Sequence, residues 1–286
     1  GIAQFSDSLY LELSKDNEMK AFSFTRQYPK IFFPGKTQFV SDNDNNRNIP
    51  IKRILDSINP FTYYKTANAI LKFKPEFVLI SYWMPFFAPA FGKIAKMLRK
   101  KGIKVIGILH NVLAHERQFG AKALTKYFFN NCDTFVILNR ASEKDLLELN
   151  PEAKYIIHPH PLYDHYESKM DLIEARKKLN IPLEKKVILF FGFIRDYKGL
   201  DLLIESMKDL NDEYLLLIAG EVYGSFKKYD GLIDKLNIRN KIRLEVRYIP
   251  ETEIPLFFSA SDVCVLPYRT ATQSGVVGIS YHFDLP

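Results

Sequence analysis

The side chains best suited to chemistry are the cations Arg195 and Lys198, set within residues 186–207, K-V-I-L-F-F-G-F-I-R-D-Y-K-G-L-D-L-L-I-E-S-M. Residues 187–191 form an unbroken apolar run, 192–199 a short loop with glycine at each end, and Leu200, Leu203, Ile204 and Met207 then recur at helical spacing. That order is strand, turn, helix. A loop opening onto a helix N-terminus offers unpaired N–H groups and the positive end of the helix dipole, so with two cations ahead of it the segment suits an anion, and best a phosphate. An ordinary strand–helix connection with solvated cations has the same local sequence, so the neighbouring segments decide.

Residues 268–276, Y-R-T-A-T-Q-S-G-V, make a second small polar turn ahead of a helix. Two such turns flanking one crevice suit a diphosphate better than a single phosphate. In open parallel sheets ligands lie beyond the carboxyl ends of the strands, so the residues just after each strand are the candidates. In the second half these are Glu221, Tyr223 and Gly224, then Arg247 and Tyr248; in the first half they are Gly1, Tyr82 with Trp83, His110 with Asn111, and Asn139.

The elements that must hold these residues alternate along the chain. Helix is expected at 2–14, strand at 21–26, and a polar loop at 28–50; a helix at 62–73 leads to a buried strand at 77–82. Residues 83–91, W-M-P-F-F-A-P-A-F, contain two prolines and read as a loop into a basic helix at 92–101. Strand 104–110, helix 121–130, strand 134–139, a helix at 142–149 capped by Ser142, and strand 155–158 come next. His158 and His160, beside prolines, read as linker residues, and a domain boundary is placed at 165/166. The second half continues with a helix at 172–179, the opening strand–turn–helix, strand 214–219, helix 228–236, strand 242–246, helix 250–259, strand 263–267 and helix 275–283. Strict alternation argues for α/β architecture with parallel sheets flanked by helices. Such a sheet calls for another strand before Gly1 and a further strand and helix after Pro286, so both termini read as truncated.

The 286 residues suit two domains of ~150 residues each. No apolar run approaches the ~18 residues of a membrane span, and no basic-then-apolar leader is present, so the chain reads as soluble and cytoplasmic. Cys132 and Cys264 each sit in apolar surroundings and read as reduced thiols; no Cys/His spacing suggests zinc. The net charge of +7 is uneven: residues 1–165 carry 23 Lys and Arg against 15 Asp and Glu, residues 166–286 carry 17 against 18. That excess suits an acidic partner in the N-terminal half, either a phosphorylated acceptor or an anionic membrane met by the helix bearing Lys93, Lys96 and Lys100. No recognition-helix or RNA-platform signature accompanies it, which excludes nucleic acid.

The run F-F-G-F-I-R-D-Y-K-G-L-D-L-L-I, then L-L-I-A-G-E, then Y-I-P-E-T-E-I-P-L-F-F-S-A-S-D-V-C-V-L-P-Y, T-Q-S-G-V-V and D-L-P, resembles the GT4 retaining glycosyltransferases, the glycosyl transferases group 1. The first half is similar through G-I-A-Q-F, F-G-K-I-A-K-M-L-R-K-K-G and I-L-H-N-V-L-A-H-E. The resemblance implies the GT-B fold of two Rossmann-like domains, 1–165 on the acceptor side and 166–286 binding the nucleotide-sugar donor. It implies that Arg195 and Lys198 neutralise the departing diphosphate, so that no metal or other cofactor is needed. Gln273, Ser274, Gly275 and Val276 would lend a helix N-terminus to the same group, Glu221, Tyr223, Gly224, Arg247 and Tyr248 would face base and ribose, and His110 would approach the transferred sugar. Gly1, Trp83, Asn111 and Glu116 fall on the acceptor side, Glu116 with His115 as an acid/base pair or, more simply, as a loop support.

Two features depart from the family pattern. Many members carry two glutamates with seven residues between them, where this chain has Ala271 and Ile279, and Arg195 lies closer to Lys198 than the family spacing. The implied function is transfer of a sugar to a hydroxyl acceptor in polysaccharide or glycolipid assembly. A non-catalytic nucleotide-sugar-binding subunit and a GT-B-fold epimerase are the alternatives.

Overall fold

Alternate side chains of a strand point to opposite faces, so an apolar run with no polar interruption makes a strand only where both faces are covered. This holds for β7 (Lys186–Phe191), buried from Val187 to Phe191 in the computed structural model, which describes residues 2–29, 49–112, 120–161, 166–222, 224–270 and 274–286. Val187, Leu189 and Phe191 enter one core, against α6 (Leu172–Lys178), α9 (Ile254–Ser259) and α10 (Gly275–His282). Ile188 and Phe190 enter the other, against α7 (Leu200–Ser206) and α8 (Lys227–Lys235).

With β8 (Tyr214–Ala219), β9 (Ile242–Glu245) and β10 (Val263–Cys264), β7 makes a parallel four-stranded sheet in the order β10-β7-β8-β9. The chain moves outward from β7 through β8 to β9, then returns to β7's other edge as β10. The strand order therefore reverses between β7 and β10, the switch point at which open α/β sheets leave a crevice.

The break between the two compact units falls after His160. In the N-terminal unit β3 (Phe77–Tyr82), β4 (Lys104–Leu109), β5 (Thr134–Ile137) and β6 (Tyr155–Ile157) form a second parallel sheet in chain order. One face packs on α2 (Pro60–Phe73), α3 (Ala88–Arg99), α4 (Ala121–Phe129) and α5 (Ala141–Leu149). On the other face Phe5 of α1 (Ile2–Leu13) packs on Ile108 and Leu138.

Several expectations need correcting. β1 (Ala21–Arg26) pairs in parallel with β2 (Ile51–Asp56), a strand that Lys52 and Arg53 conceal because the pair forms a separate two-stranded sheet with a half-exposed partner. α3 starts at Ala88, not Gly92: Pro89 sits in the first turn, where a missing N–H breaks no helical bond. α5 is held at its start by Asn139, whose Oδ1 accepts the Ser142 N–H at 2.8 Å, so Ser142 is inside the helix and Asn139 does the capping. Phe77, in the strand expected to be buried, is 42% exposed. The expected loop at 28–50 lies largely outside the described residues.

Two glycines with left-handed backbone differ in what surrounds them. Gly199, at φ +70°, starts α7, and a side chain there would meet the Pro267 carbonyl oxygen at 2.1 Å. Gly224, at φ +95°, would meet nothing within 4 Å. Gly224→Ala should therefore cost about 1 kcal/mol, the left-handed backbone cost alone, whereas Gly199→Ala should cost several times as much, because backbone must move. Urea denaturation of the two variants checks the difference.

Candidate functional site

Beyond the carboxyl end of β7 the chain turns at Gly192 (φ +95°), and the Ile194 N–H donates to the Glu221 carbonyl at 2.8 Å, tying this loop to the one after β8. A single 3₁₀ turn, Asp196–Lys198, then points Lys198 inward, where it is only 8% exposed. Its ammonium forms no ion pair among the described residues. The ring of Tyr268 lies 5.6 Å from Nζ, and a Cβ on Gly192 would come within 3.1 Å of Nζ and 3.7 Å of Val276 Cγ2. Gly192 thus leaves the space in which Lys198 meets the first turn of α10. Burial, and then the positive charge of Arg195, lower the Lys198 pKa to about 8, so it is still largely charged at neutral pH.

The other side of the site lies after β10. Ser274 is the N-cap of α10 in extended backbone, and its side chain makes no capping bond to the helix. Its Oγ instead lies 3.1 Å from Tyr268 Oη. Burial pushes the Tyr268 phenol up to about 12, so it stays a neutral hydrogen-bonding group. The first turn of α10 carries no acidic residue to compete with an external anion. Lys198, Val276 and Ser274 are thus gathered at the β7/β10 switch point, with Arg195 near enough to repel the Lys198 charge.

Other expected donor residues are placed differently. Arg247 does not offer a free guanidinium: it pairs with Glu253, at 3.2 Å through Nη1, and with Glu245 at 3.4 Å, and donates to the Tyr248 carbonyl at 3.2 Å. Tyr248 is 47% exposed, Glu221 is half-buried, and Gly224 and Gly275 are exposed. Ile279, at one of the positions where many family members have glutamate, packs into the core under α10. Gly1, Glu116, Tyr223 and Gln273 lie outside the described residues, as do His115 and Ala271.

In the N-terminal unit, His110 comes directly after β4, its N–H donating to the Tyr82 carbonyl at 2.9 Å. Its ring is buried with the Phe5 ring perpendicular to it at 4.8 Å, and Nε2 has no hydrogen-bond partner among the described residues. Burial first, and the nearby His160 second, hold its pKa down at about 4, so the imidazole is neutral. Asn111, the next residue, is half-buried. Trp83 is a packing residue: it sits 4.5 Å from the Phe87 ring, amid Phe24 and Phe91, and its indole N–H donates to Tyr28 Oη at 3.1 Å. Sequence reasoning assigns no role to Tyr268 or Gly192, although both lie in the strand-and-turn stretches it marks.

Residues 171–280 match the family model described as glycosyl transferases group 1. The D-inositol 3-phosphate glycosyltransferase of Corynebacterium aurimucosum is 27% identical over 152 residues, 48% of this chain and 36% of the relative. The GDP-mannose:glycolipid 4-beta-D-mannosyltransferase of Xanthomonas campestris pv. campestris is 26% identical over 192 residues, 66% of this chain and 50% of the relative. This chain therefore spans half the length, or less, of these two curated relatives. Among solved structures, WaaG, a glycosyltransferase involved in lipopolysaccharide biosynthesis, superposes with TM-score 0.68 at 15% identity over 100% of this chain and 76% of its own. Anabaena Alr3699/HepE in complex with UDP superposes with TM-score 0.64 at 15% identity, over 80% of this chain and 64% of its own. These neighbours share the GT-B glycosyltransferase fold with this chain.

Burial of Lys198 makes stability depend on pH. Between the folded pKa of about 8 and the ordinary lysine value of 10.5, the unfolded chain binds more protons than the folded one, so stability rises with pH across that window. Lys198→Met should flatten that rise. It should stabilise the protein by up to about 3 kcal/mol at pH 7 and by little near pH 10.5, read by urea denaturation at each pH.

Proposed function

We propose, from the premise that residues 171–280 form a glycosyl transferases group 1 domain, that the protein is a retaining glycosyltransferase of GT4 type. It moves a sugar from a nucleoside-diphosphate sugar to a hydroxyl of a saccharide or lipid-linked acceptor in glycolipid or polysaccharide assembly. The observation that carries this reading is the buried ammonium of Lys198, without an ion pair among the described residues, beside Arg195 and the open first turn of α10. HepE has been crystallised with UDP and with UDP-glucose, and the Xanthomonas relative is named for GDP-mannose, which supports a nucleoside diphosphate as the anion.

As the bond from the sugar's anomeric carbon to the diphosphate breaks, negative charge grows on the phosphate oxygen that leaves. Lys198, Arg195 and the α10 amides would meet that charge more strongly than they meet the intact donor, which is the differential binding catalysis needs. On this reading the cations take the place of a divalent metal. In the N-terminal unit, the neutral imidazole of His110 has an Nε2, unpartnered among the described residues, suited to a hydroxyl of a sugar.

We also read the N-terminal unit as making peripheral contact with an anionic membrane from the cytoplasmic side. No described helix is long and apolar enough to cross a membrane. A groove of about 410 Å³ at the end of α3 is lined by Lys96, Lys100 and Lys104, with Arg99 paired to Asp133 at 2.9 Å beside them. On the adjoining α2, Phe61 is 84% exposed, and Lys93 of α3 rests 4.7 Å over the Tyr64 ring. Lysines beside exposed aromatic rings suit a charged lipid interface.

Incubation with UDP-, GDP- and ADP-sugars should show slow hydrolysis of one donor, reduced at least roughly a hundredfold in Lys198→Ala. Tight binding without turnover would instead favour a scaffold, and an epimeric product an epimerase. Sedimentation with vesicles should show binding that needs anionic lipid and weakens roughly fivefold for each of Lys96 and Lys100 replaced by Gln. Equal binding to neutral vesicles would contradict the membrane reading.

A further inference from the structure

The two halves of the anion site are separate stretches, residues 195–199 after β7 and residues 267–270 with Ser274 after β10, and their spacing must be set by something other than the chain. We propose that Tyr268 and Arg269 are positioning residues that fix this spacing, Tyr268 by bridging Lys198 to Ser274 and Arg269 by clamping Asp201 at the start of α7.

Arg269 is bound both to the first loop and to the helix it opens onto. Its backbone N–H donates to the Tyr197 carbonyl at 2.8 Å and its Nη1 to the Asp196 carbonyl at 2.9 Å. The guanidinium then closes a bidentate pair on Asp201, Nη1 to Oδ1 at 2.8 Å and Nη2 to Oδ2 at 2.6 Å. Two parallel bonds between planar groups fix orientation as well as distance, which a single lysine bond would not. The hydrogen bond from Arg269, before any other cause, holds the Asp201 carboxyl below its usual range. Between these contacts, Pro267 presents its carbonyl to the space kept empty by Gly199.

Tyr268 works on the inner side of the same segment. Its ring packs edge-on against Tyr197 at 6.1 Å and stands 5.6 Å from Lys198 Nζ, while its hydroxyl meets Ser274 Oγ. A ring face steadies an ammonium without neutralising it. A carboxylate in that place would hold the lysine more firmly but would compete with an incoming phosphate. The Arg269–Asp201 pair is 41% and 35% exposed, so its worth to global stability is small. Its effect falls on geometry.

The proposal rests on the reading of Lys198 and Ser274 as an anion site, and calorimetric titration of the full chain with UDP and with inorganic pyrophosphate tests the two separately. If wild type binds neither, the site reading fails and the proposal with it. If wild type binds, Arg269→Ala and Asp201→Ala should each weaken binding roughly tenfold with little change in urea stability, and the double variant should be no weaker than either single one. Arg269→Lys should recover only part of the loss. Tyr268→Leu should weaken binding more than Tyr268→Phe, which keeps the ring. The Leu variant should also move the pH midpoint of binding upward, because Lys198 becomes better hydrated. Unchanged affinity in these variants, losses that merely track lost stability, or additive losses in the double variant would overturn the proposal and leave the site reading standing.

Discussion

An ammonium held away from water, with no carboxylate beside it among the described residues, is the constraint on which the rest of this structure turns. Removing an ion from water costs several kcal/mol even after relaxation, and proteins ordinarily answer by pairing the ion or by letting it lose its charge. Lys198 does neither in full. Its pKa falls to about 8 and stops there, so at neutral pH the charge persists, with Arg195 adding like charge nearby. An anion resolves that imbalance. The neighbouring residues leave it unresolved: Gly192 has no side chain in the space at Nζ, Tyr268 supplies a ring face, and the first turn of α10 holds no acid.

The placing of that charge is set by the order of the sheet. Because β10 joins β7 on the edge opposite β8, the loops after β7 and β10 both rise from the point where the strand order reverses. β7 is buried on both faces, which makes the base of the site rigid, while the loops above it are free to differ in sequence. Such a scaffold needs lateral ties between its loops, and the structure supplies them in Ile194 to Glu221 on one side and Arg269 to Asp201 on the other.

Much of this is legible in the sequence. The bounds of β3 and β8 can be read from mainly apolar runs, each entered from a glutamate, and Lys198 is marked by the glycines around it and the helix after it. The features that escape depend on contacts made across space. β2 is hidden because Lys52 and Arg53, both exposed, break its apolar run, and β1 is its only partner strand among the described residues. Arg247 looks available because Glu253 becomes its neighbour only once the chain turns at Pro250. Tyr268 gives no periodic signal, since its value lies in reaching Lys198, far from it in the chain, and Ser274 at once.

Lys198 and His110, one in each unit, answer burial in opposite ways, and the difference has a physical meaning. At the carboxyl end of β7, an inner strand of its sheet, Lys198 keeps its charge; at the carboxyl end of β4, likewise an inner strand, His110 is held neutral. A neutral imidazole whose Nε2 meets no partner among the described residues lacks a hydrogen bond, a deficit of about 1–3 kcal/mol that a hydroxyl can make good. A buried ammonium lacks a counter-charge, and only an anion supplies that. The two units thus carry deficits of different kinds, a missing hydrogen bond in one and a missing counter-charge in the other.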